Sequence, residues 1–228
     1  NEELKLKIKM LEKTQNKQQN RQQSIINHLD SNMIHNLRTV EEIGSSFSGK
    51  VIEVVKEEKY ALKEMKPIDS KSQNQPQYFS DHEKLNSIHH PNIIKTYGIH
   101  LSDEKMPLSI LLELCQKDLV AALKSGTLNN ETIIKYIYQI AEGMKFAHSC
   151  GFIHRDLKPS NILIGIDGDI KISEFGIPSL MTTEEQSLLL SAASQKFMAP
   201  ELLNEEDYNE KVDVYSFGVV LFFLLSDG

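Results

Sequence analysis

An α+β fold in two lobes, strands first and helices after, is the architecture that the sequence predicts. Three observations carry it. Residues 37–115 contain short runs rich in Val, Ile and Tyr, broken by turn-forming residues. "NNETIIKYIYQIAEGMKFAHSCG" then sets Ile133, Ile137, Ile140, Met144 and Ala147 on one helical face, between an asparagine cap and Gly151. Near the end, "GVVLFFLL", Gly218 to Leu225, is apolar all round, as a buried helix is. Strands gathered into one lobe and helices into the next leave a cleft between them.

Taken in order, residues 1–36 form a helical segment or linker rich in Lys, Gln and Asn. Leu4, Ile8, Leu11, Ile25 and Leu29 keep a heptad-like spacing, with Gln15, Gln18 and Gln22 on the same seam. Three glutamines in a row on the seam suit a solvated helix or linker, and the alternative is a weak coiled coil through which two copies of the chain would pair. The second domain is expected over 37–228, its strand lobe at 37–115 and its helical lobe at 116–228. "LRTVEEIG", "GKVIEVVKEE" and "KYALKEM" are three antiparallel strands, with "GSSFSG" turning between the first two. "PIDSKSQNQPQ" is a polar loop and "YFSDHEKLNSI" has helical spacing. "TYGIHLS" and "LSILLEL" complete the sheet, and after Gln116 the chain is expected to turn helical.

The chain of 228 residues is long enough to bury a substantial core. Its net charge of −7 gives no reason to expect a nucleic acid partner. Cys115 and Cys150 make no disulfide framework, and no signal peptide opens the chain, so a cytoplasmic protein is expected. "GVVLFFLL" falls far short of the roughly 20 residues that span a bilayer, so no membrane partner is expected. The chain starts at Asn1 and stops at Gly228, just after that stretch, and both ends are expected to be cut.

"HRDLKPSN", His154 to Asn161, follows the long helix and leads into the strand "ILIGI". It resembles the catalytic loop of eukaryotic protein kinases, H-R-D-L-x-x-x-N. Other segments extend the resemblance from about residue 37 to the end. "GSSFSGKV" aligns Gly44, Gly49 and Val51 with the glycine-rich loop that covers the phosphates, with Ser46 in place of the middle glycine. "YALK" aligns Ala61 and Lys63 with the strand whose lysine holds the α- and β-phosphates. That lysine's usual helix glutamate is matched by Asp81, one methylene shorter, while Glu83 falls on another face. Leu112 to Cys115 match the segment against which adenine packs, with backbone hydrogen bonds from Glu113 and Cys115. Leu163 belongs to the same cofactor-binding set. "FMAPE" and "DVYSFG" match the end of the activation segment and the central helix whose aspartate props the catalytic loop.

The resemblance implies a bilobal kinase fold with an incomplete helical lobe, and an ATP-dependent kinase acting on a protein hydroxyl. Asp156 would orient that hydroxyl, since a carboxylate is a weak base at pH 7. Lys158 would neutralise charge on the transferring phosphoryl group, and Asn161 and Glu174 would hold Mg2+. Lys158-Pro159 resembles serine/threonine kinases, and the general cast is that of their tyrosine-kinase-like group. Ser194 stands where such kinases place a threonine that contacts the catalytic aspartate. Thr182, Thr183, Ser187, Ser191 and Ser194 are candidates for an activating phosphate that pairs with Arg155.

The departure that matters most is "KISEFG", where Glu174 replaces the D-F-G aspartate. Mg2+ prefers near-octahedral oxygens at about 2.0–2.1 Å. Glutamate sets its carboxylate roughly 1.5 Å further out. Ser46, Asp81 and Glu174 therefore favour a pseudokinase, a nucleotide-binding or scaffold module. Lys63, Asp156, Lys158 and Asn161 favour an active enzyme.

Overall fold

The computed structural model describes residues 38–45, 49–55, 59–65, 89–100, 109–175, 192–204 and 206–226. The N-terminal helical segment, the helix expected at "YFSDHEKLNSI" and most of the segment after Phe175 lie outside them.

β1 (Arg38–Ser45), β2 (Gly49–Val55) and β3 (Lys59–Met65) form an antiparallel meander. β4 (Thr96–His100) and β5 (Ser109–Glu113) complete a five-stranded sheet in the order β1-β2-β3-β5-β4. Side chains alternate across a strand, so Ala61 and Lys63 share one face. Val51 lies directly opposite Lys63, and Ile110 flanks it on the other side. The other face gathers Ile52, Val54, Leu62 and Leu111, with Tyr60 and Tyr97 packed against them. The sheet thus divides its apolar side chains between two jobs. One face makes a core, and the other presents Lys63 toward the helical lobe.

Beyond Leu114 the chain does not turn helical at once, as the sequence suggested. Cys115–Asp118 form β6, which pairs with β7 (Ile162–Gly165), and β7 pairs with β8 (Ile170–Ile172). This small second sheet was hidden because "CQKD" is short and polar, and its strand state comes from distant partners. α1 (Leu119–Lys124) follows, capped by Asp118, whose carboxylate accepts from the Ala121 amide at 2.7 Å.

α2 (Asn130–Ser149) is the long helix that the apolar spacing predicts. Asn129 caps it by accepting from the Thr132 amide at 2.8 Å, and Gly151, with φ +81°, ends it in the left-handed region. The expected apolar face is buried apart from Ile137, which is partly covered, and Tyr136 and Gly143 join it. Gly143 is there for a reason of space. A Cβ at that position would lie 2.8 Å from Ile172 Cδ1 and 3.2 Å from the Asn92 carbonyl. α2 therefore approaches β8 more closely than any side chain permits.

The segment before β4 is clamped into the same contact. The Ile172 amide donates to the Asn92 carbonyl at 2.9 Å, the Ile94 amide donates to the Ile172 carbonyl at 2.9 Å, and Asn92 Nδ2 donates to the Ile170 carbonyl at 3.1 Å. β8 is thus wedged between the helical lobe and the entry to β4.

The short helices α3 (Ala192–Gln195) and α4 (Pro200–Leu203) lead to α5 (Lys211–Leu225). α5 is not buried all round. Val212, Asp213, Ser216, Val220 and Leu224 are buried, whereas Phe222 is 72% and Leu225 70% exposed. No helix among the described residues is long and apolar enough to cross a membrane.

These contacts set two stability expectations. Ile140 has no exposed surface, so Ile140→Ala should cost about 2–5 kcal/mol through the cavity it leaves. Asn129→Ala should cost only about 0.5–2 kcal/mol, through one lost cap. Urea unfolding midpoints of the two variants give the comparison, and an equal or reversed order would contradict this packing.

Candidate active site

The site is assembled where β3, the loop after α2, the end of β8 and the first turn of α5 meet. Asp213, 1% exposed, holds the loop. Its Oδ2 accepts from the His154 amide at 2.8 Å and its Oδ1 from the Arg155 amide at 2.9 Å. His148, near the end of α2, places Nε2 2.8 Å from the same carboxylate. The expected support of the catalytic loop by this aspartate is therefore present, and His148 is a further partner that the sequence did not single out.

This support fixes an unusual backbone. Arg155 has φ 68°, in the region that costs a side-chain-bearing residue about 1–2 kcal/mol. Next to it, His154 is fully buried. Its Nε2 donates to the Ser173 carbonyl at 2.8 Å, and its Nδ1 accepts from the Asp156 amide at 3.2 Å. The two bonds assign the proton to Nε2. The His154 ring also packs on Phe175, with centroids 4.6 Å apart. One imidazole thus ties the loop that bears Asp156 to the segment that bears Glu174.

Asp156, Lys158, Asn161 and Ser194 come together as a group. Lys158 Nζ donates to both carboxylate oxygens of Asp156, at 2.9 and 2.7 Å, and to Ser194 Oγ at 2.9 Å. Asn161 Nδ2 donates to the Asp156 carbonyl at 2.8 Å and to its Oδ2 at 2.9 Å. These two bonds consume the amide nitrogen of Asn161 and leave Oδ1 as the atom it offers a cation. Ser194 is linked to the aspartate through Lys158. Ser194 is also only 4% exposed, so its hydroxyl is shielded while it stays on Lys158. Thr182, Thr183, Ser187 and Ser191 lie outside the described residues.

Lys63 projects from β3 and is 2% exposed. Its ammonium is bound by both carboxylate oxygens of Glu174. The partner expected for Lys63 from the sequence, Asp81, lies outside the described residues, and the pair with Glu174 is not expected from the sequence. Glu174 has φ 70°, so its backbone turns sharply where β8 ends. That turn directs the side chain toward the strand lobe, and the extra methylene of glutamate supplies reach. Asn161 and Glu174 are hard oxygen donors, the chemistry that Mg2+ requires. They fit that ion as a partial ligand set, completed in principle by phosphate oxygens and water.

The expected adenine segment lies between β5 and β6. The Glu113 amide donates to the Lys95 carbonyl at 3.0 Å, and Cys115 pairs in register with Gly165. Leu163, on β7, is half-buried beside it and stands opposite Lys171 and Asp118. Gly44, Gly49 and Val51 fall on β1 and β2, with Gly44 opposite Val51. Ser46 lies outside the described residues. An open cavity of about 580 Å3 is lined by Lys59, Tyr97, Glu113, Leu114, Ile166 and Asp167. Glu113 and Leu114 of the expected adenine segment reach it, but Lys63 does not.

Burial pushes the Cys115 thiol up to about 12, with Glu113 adding to the shift and Lys171 opposing it. At pH 8 roughly one thiol in ten thousand would then be the reactive thiolate. Cys150 is exposed. Brief treatment of folded protein with iodoacetamide should therefore label Cys150 and spare Cys115, as peptide mass spectrometry reads directly. Comparable labelling of both would show that Cys115 is not enclosed as described.

Comparison with known proteins agrees with this geometry. Residues 37–227 match the protein kinase domain. An Aurora kinase of Eremothecium gossypii is 34% identical over 167 residues, covering 72% of this chain and 45% of that protein. The mitogen-activated protein kinase mpk-1 of Caenorhabditis elegans is 31% identical over 199 residues, covering 84% and 45%. The mitogen-activated protein kinase kinase kinase dlk-1 of the same organism is 39% identical over 145 residues, covering 62% and 15%. The chain spans less than half the length of these relatives. The match extends over both lobes and the loop between them, and the chain belongs to the protein kinase domain family.

Proposed function

We propose that this chain is the catalytic part of a serine/threonine protein kinase of the tyrosine-kinase-like group. Its substrates are ATP, with Mg2+, and a hydroxyl on another protein. The division into a segment at 1–36 and lobes at 37–115 and 116–228 belongs to the same reading. So do a cytoplasmic location and pairing of two copies through the N-terminal seam. The observation that carries the catalytic reading is the group formed by Asp156, Lys158 and Asn161, on the loop held by Asp213, with Ser194 of α3.

Each residue has a task that its contacts explain. Val51 and Ala61 share the sheet face of Lys63, which makes that face the roof over a base and its phosphates. Glu113 and Cys115 offer backbone groups at the edge of the cleft, and Leu163 lies below. Gly44 and Gly49 bound the loop over the phosphates, with Ser46 between them. Asp156 orients the attacking hydroxyl and takes its proton late, as a loose phosphoryl-transfer transition state allows. Lys158, already on Asp156, balances the charge that develops on the transferring group. Mg2+, when bound by Asn161 and Glu174, supplies neutralisation of phosphate charge.

The Lys63–Glu174 pair favours a second reading, a pseudokinase. A carboxylate with both oxygens on a lysine is committed there, and a cation or a phosphate must compete with that bond. The two readings separate in a thermal-shift titration with ATP, with and without Mg2+. An active kinase gives a shift that depends on Mg2+, and a nucleotide-binding scaffold gives the same shift without it. No shift in either condition would remove nucleotide binding altogether.

Substitution at residue 174 sharpens the choice. Glu174→Asp should raise phosphate transfer and Glu174→Ala should reduce it by about 10–100-fold, the scale of disturbed metal ligation. The largest differences are expected at low Mg2+. Equal, non-zero transfer by all three proteins would show that residue 174 does not serve the metal.

Arg155 supports a switch in the segment after Phe175. Its Nε is buried and has no hydrogen-bond partner, and its guanidinium lies 5.6 Å from the Tyr208 ring centroid. A phosphate on Thr182, Thr183, Ser187 or Ser191 would supply the missing acceptor. Mass spectrometry of active protein should find that segment modified, and an unmodified segment in active protein would exclude the switch.

A further inference from the structure

Lys171 is a buried lysine that the chemistry above does not use. It sits on β8, three residues before Glu174, and is 7% exposed. A buried ammonium is costly unless each proton finds an acceptor. Here Nζ donates to the Pro91 carbonyl at 2.9 Å and to Asp167 Oδ2 at 3.0 Å, and lies 3.8 Å from Glu113 Oε2. Burial works against its charge, but Asp167 and Glu113 outweigh that and hold its pKa above the ordinary value.

The partners belong to three different places. Pro91 lies in the segment clamped to β8, and Asp167 in the turn between β7 and β8. Glu113 is at the end of β5, in the expected adenine segment. Glu113 is also fixed from the other side, because its Oε1 accepts from the Lys95 amide at 2.7 Å. The surroundings are shaped around this lysine. A Cβ on Gly165 would lie 2.8 Å from Lys171 Cε and 2.5 Å from Asp167 Oδ1. Gly165 has no positive φ to explain its glycine, so the space for Lys171 and Asp167 is what the missing side chain provides. Gln116 Nε2 completes the seam by donating to the Gly165 carbonyl at 3.1 Å.

We propose that Lys171 is a positioning residue, which locks the adenine segment at Glu113–Gln116 to β8, the strand that leads to Glu174. This rests on the nucleotide-binding reading above and adds a residue to it. β8 and the residues just after it then carry two functions, three residues apart. Glu174 reaches up to Lys63 and the metal side, and Lys171 reaches out to the base side. Because β8 bears Lys171 and leads directly to Glu174, it sets the distance between base and phosphate subsites.

The test uses Lys171→Met, Lys171→Arg and Gly165→Ala, the last of which displaces the ion pair without removing a charge. Adenosine is the probe, since it reports the base subsite without phosphates or metal. Lys171→Met and Gly165→Ala should weaken adenosine binding by roughly three- to tenfold, the range of energetic coupling through a packed network. They should also speed amide hydrogen exchange at residues 113–116, and Lys171→Arg should restore both. A lower melting temperature with unchanged adenosine affinity and unchanged exchange would overturn the proposal, leaving only a stabilising buried pair. If the unaltered protein binds no adenosine, the nucleotide reading fails, and exchange at 113–116 decides the lock by itself. If Lys171→Met does not fold, Gly165→Ala and Glu113→Gln carry the same two measurements.

Discussion

The catalytic loop depends on the carboxylate of Asp213, buried in the first turn of α5. Burying a carboxylate costs several kcal/mol unless its lone pairs are met. Here they are met by two consecutive backbone amides and by His148. That bond set is also what makes the left-handed Arg155 tolerable, since both amides must turn to the same side to reach one carboxylate. Everything functional is suspended from this point. His154 passes the constraint to Ser173 and Phe175, and Asp156 follows from His154 by one further hydrogen bond. A loop without a regular ladder in this way has three successive amides satisfied by side chains.

The charged group on that loop is already assembled. Asp156, Lys158 and Asn161 are linked by charge-assisted hydrogen bonds that need no ligand to form. The lysine therefore does not wait in solvent for a phosphate; it is already placed over the carboxylate that would receive a hydroxyl. Preorganisation of this kind is what phosphoryl transfer asks of a protein, because little covalent chemistry is left for it to do. Ser194 extends the group to the segment that ends in Ala199, so the position of that segment is felt at Lys158.

Much of this was legible in the sequence, and the exceptions have physical causes. β3 and the long helix announced themselves through alternation and through apolar spacing between an asparagine and a glycine. His154 to Asn161 was legible because chemistry restricts each position of that loop. β6 was not, since a short polar run becomes a strand only by pairing with Leu163 to Gly165 far along the chain. Gly143 and Gly165 gave no local signal either, because what they accommodate, Ile172 in one case and Lys171 in the other, arrives from a strand elsewhere in the chain. The Lys63–Glu174 pair was missed for a different reason. Comparison with the family pattern measured glutamate against the metal that an aspartate would hold, and so overlooked the lysine within its longer reach.

That longer reach changes how the cleft is balanced. Lys63 is almost fully buried and would be costly to leave alone, and Glu174 answers it with both oxygens. The backbone at Glu174 is fixed by the Ser173 contacts with Asn161 and by the packing of Phe175, so only the side chain can respond to a ligand. An aspartate on the same backbone would end roughly 1.5 Å nearer its own Cα and hold Lys63 less closely. The glutamate therefore ties β3 to the segment after β8, and a polyanion that took up Lys63 would have to draw it away from that carboxylate. A cation that takes up the released carboxylate offsets that cost. On the proposed reading, a metal at Glu174 and a nucleotide at Lys63 would each favour the other's binding through this one ion pair.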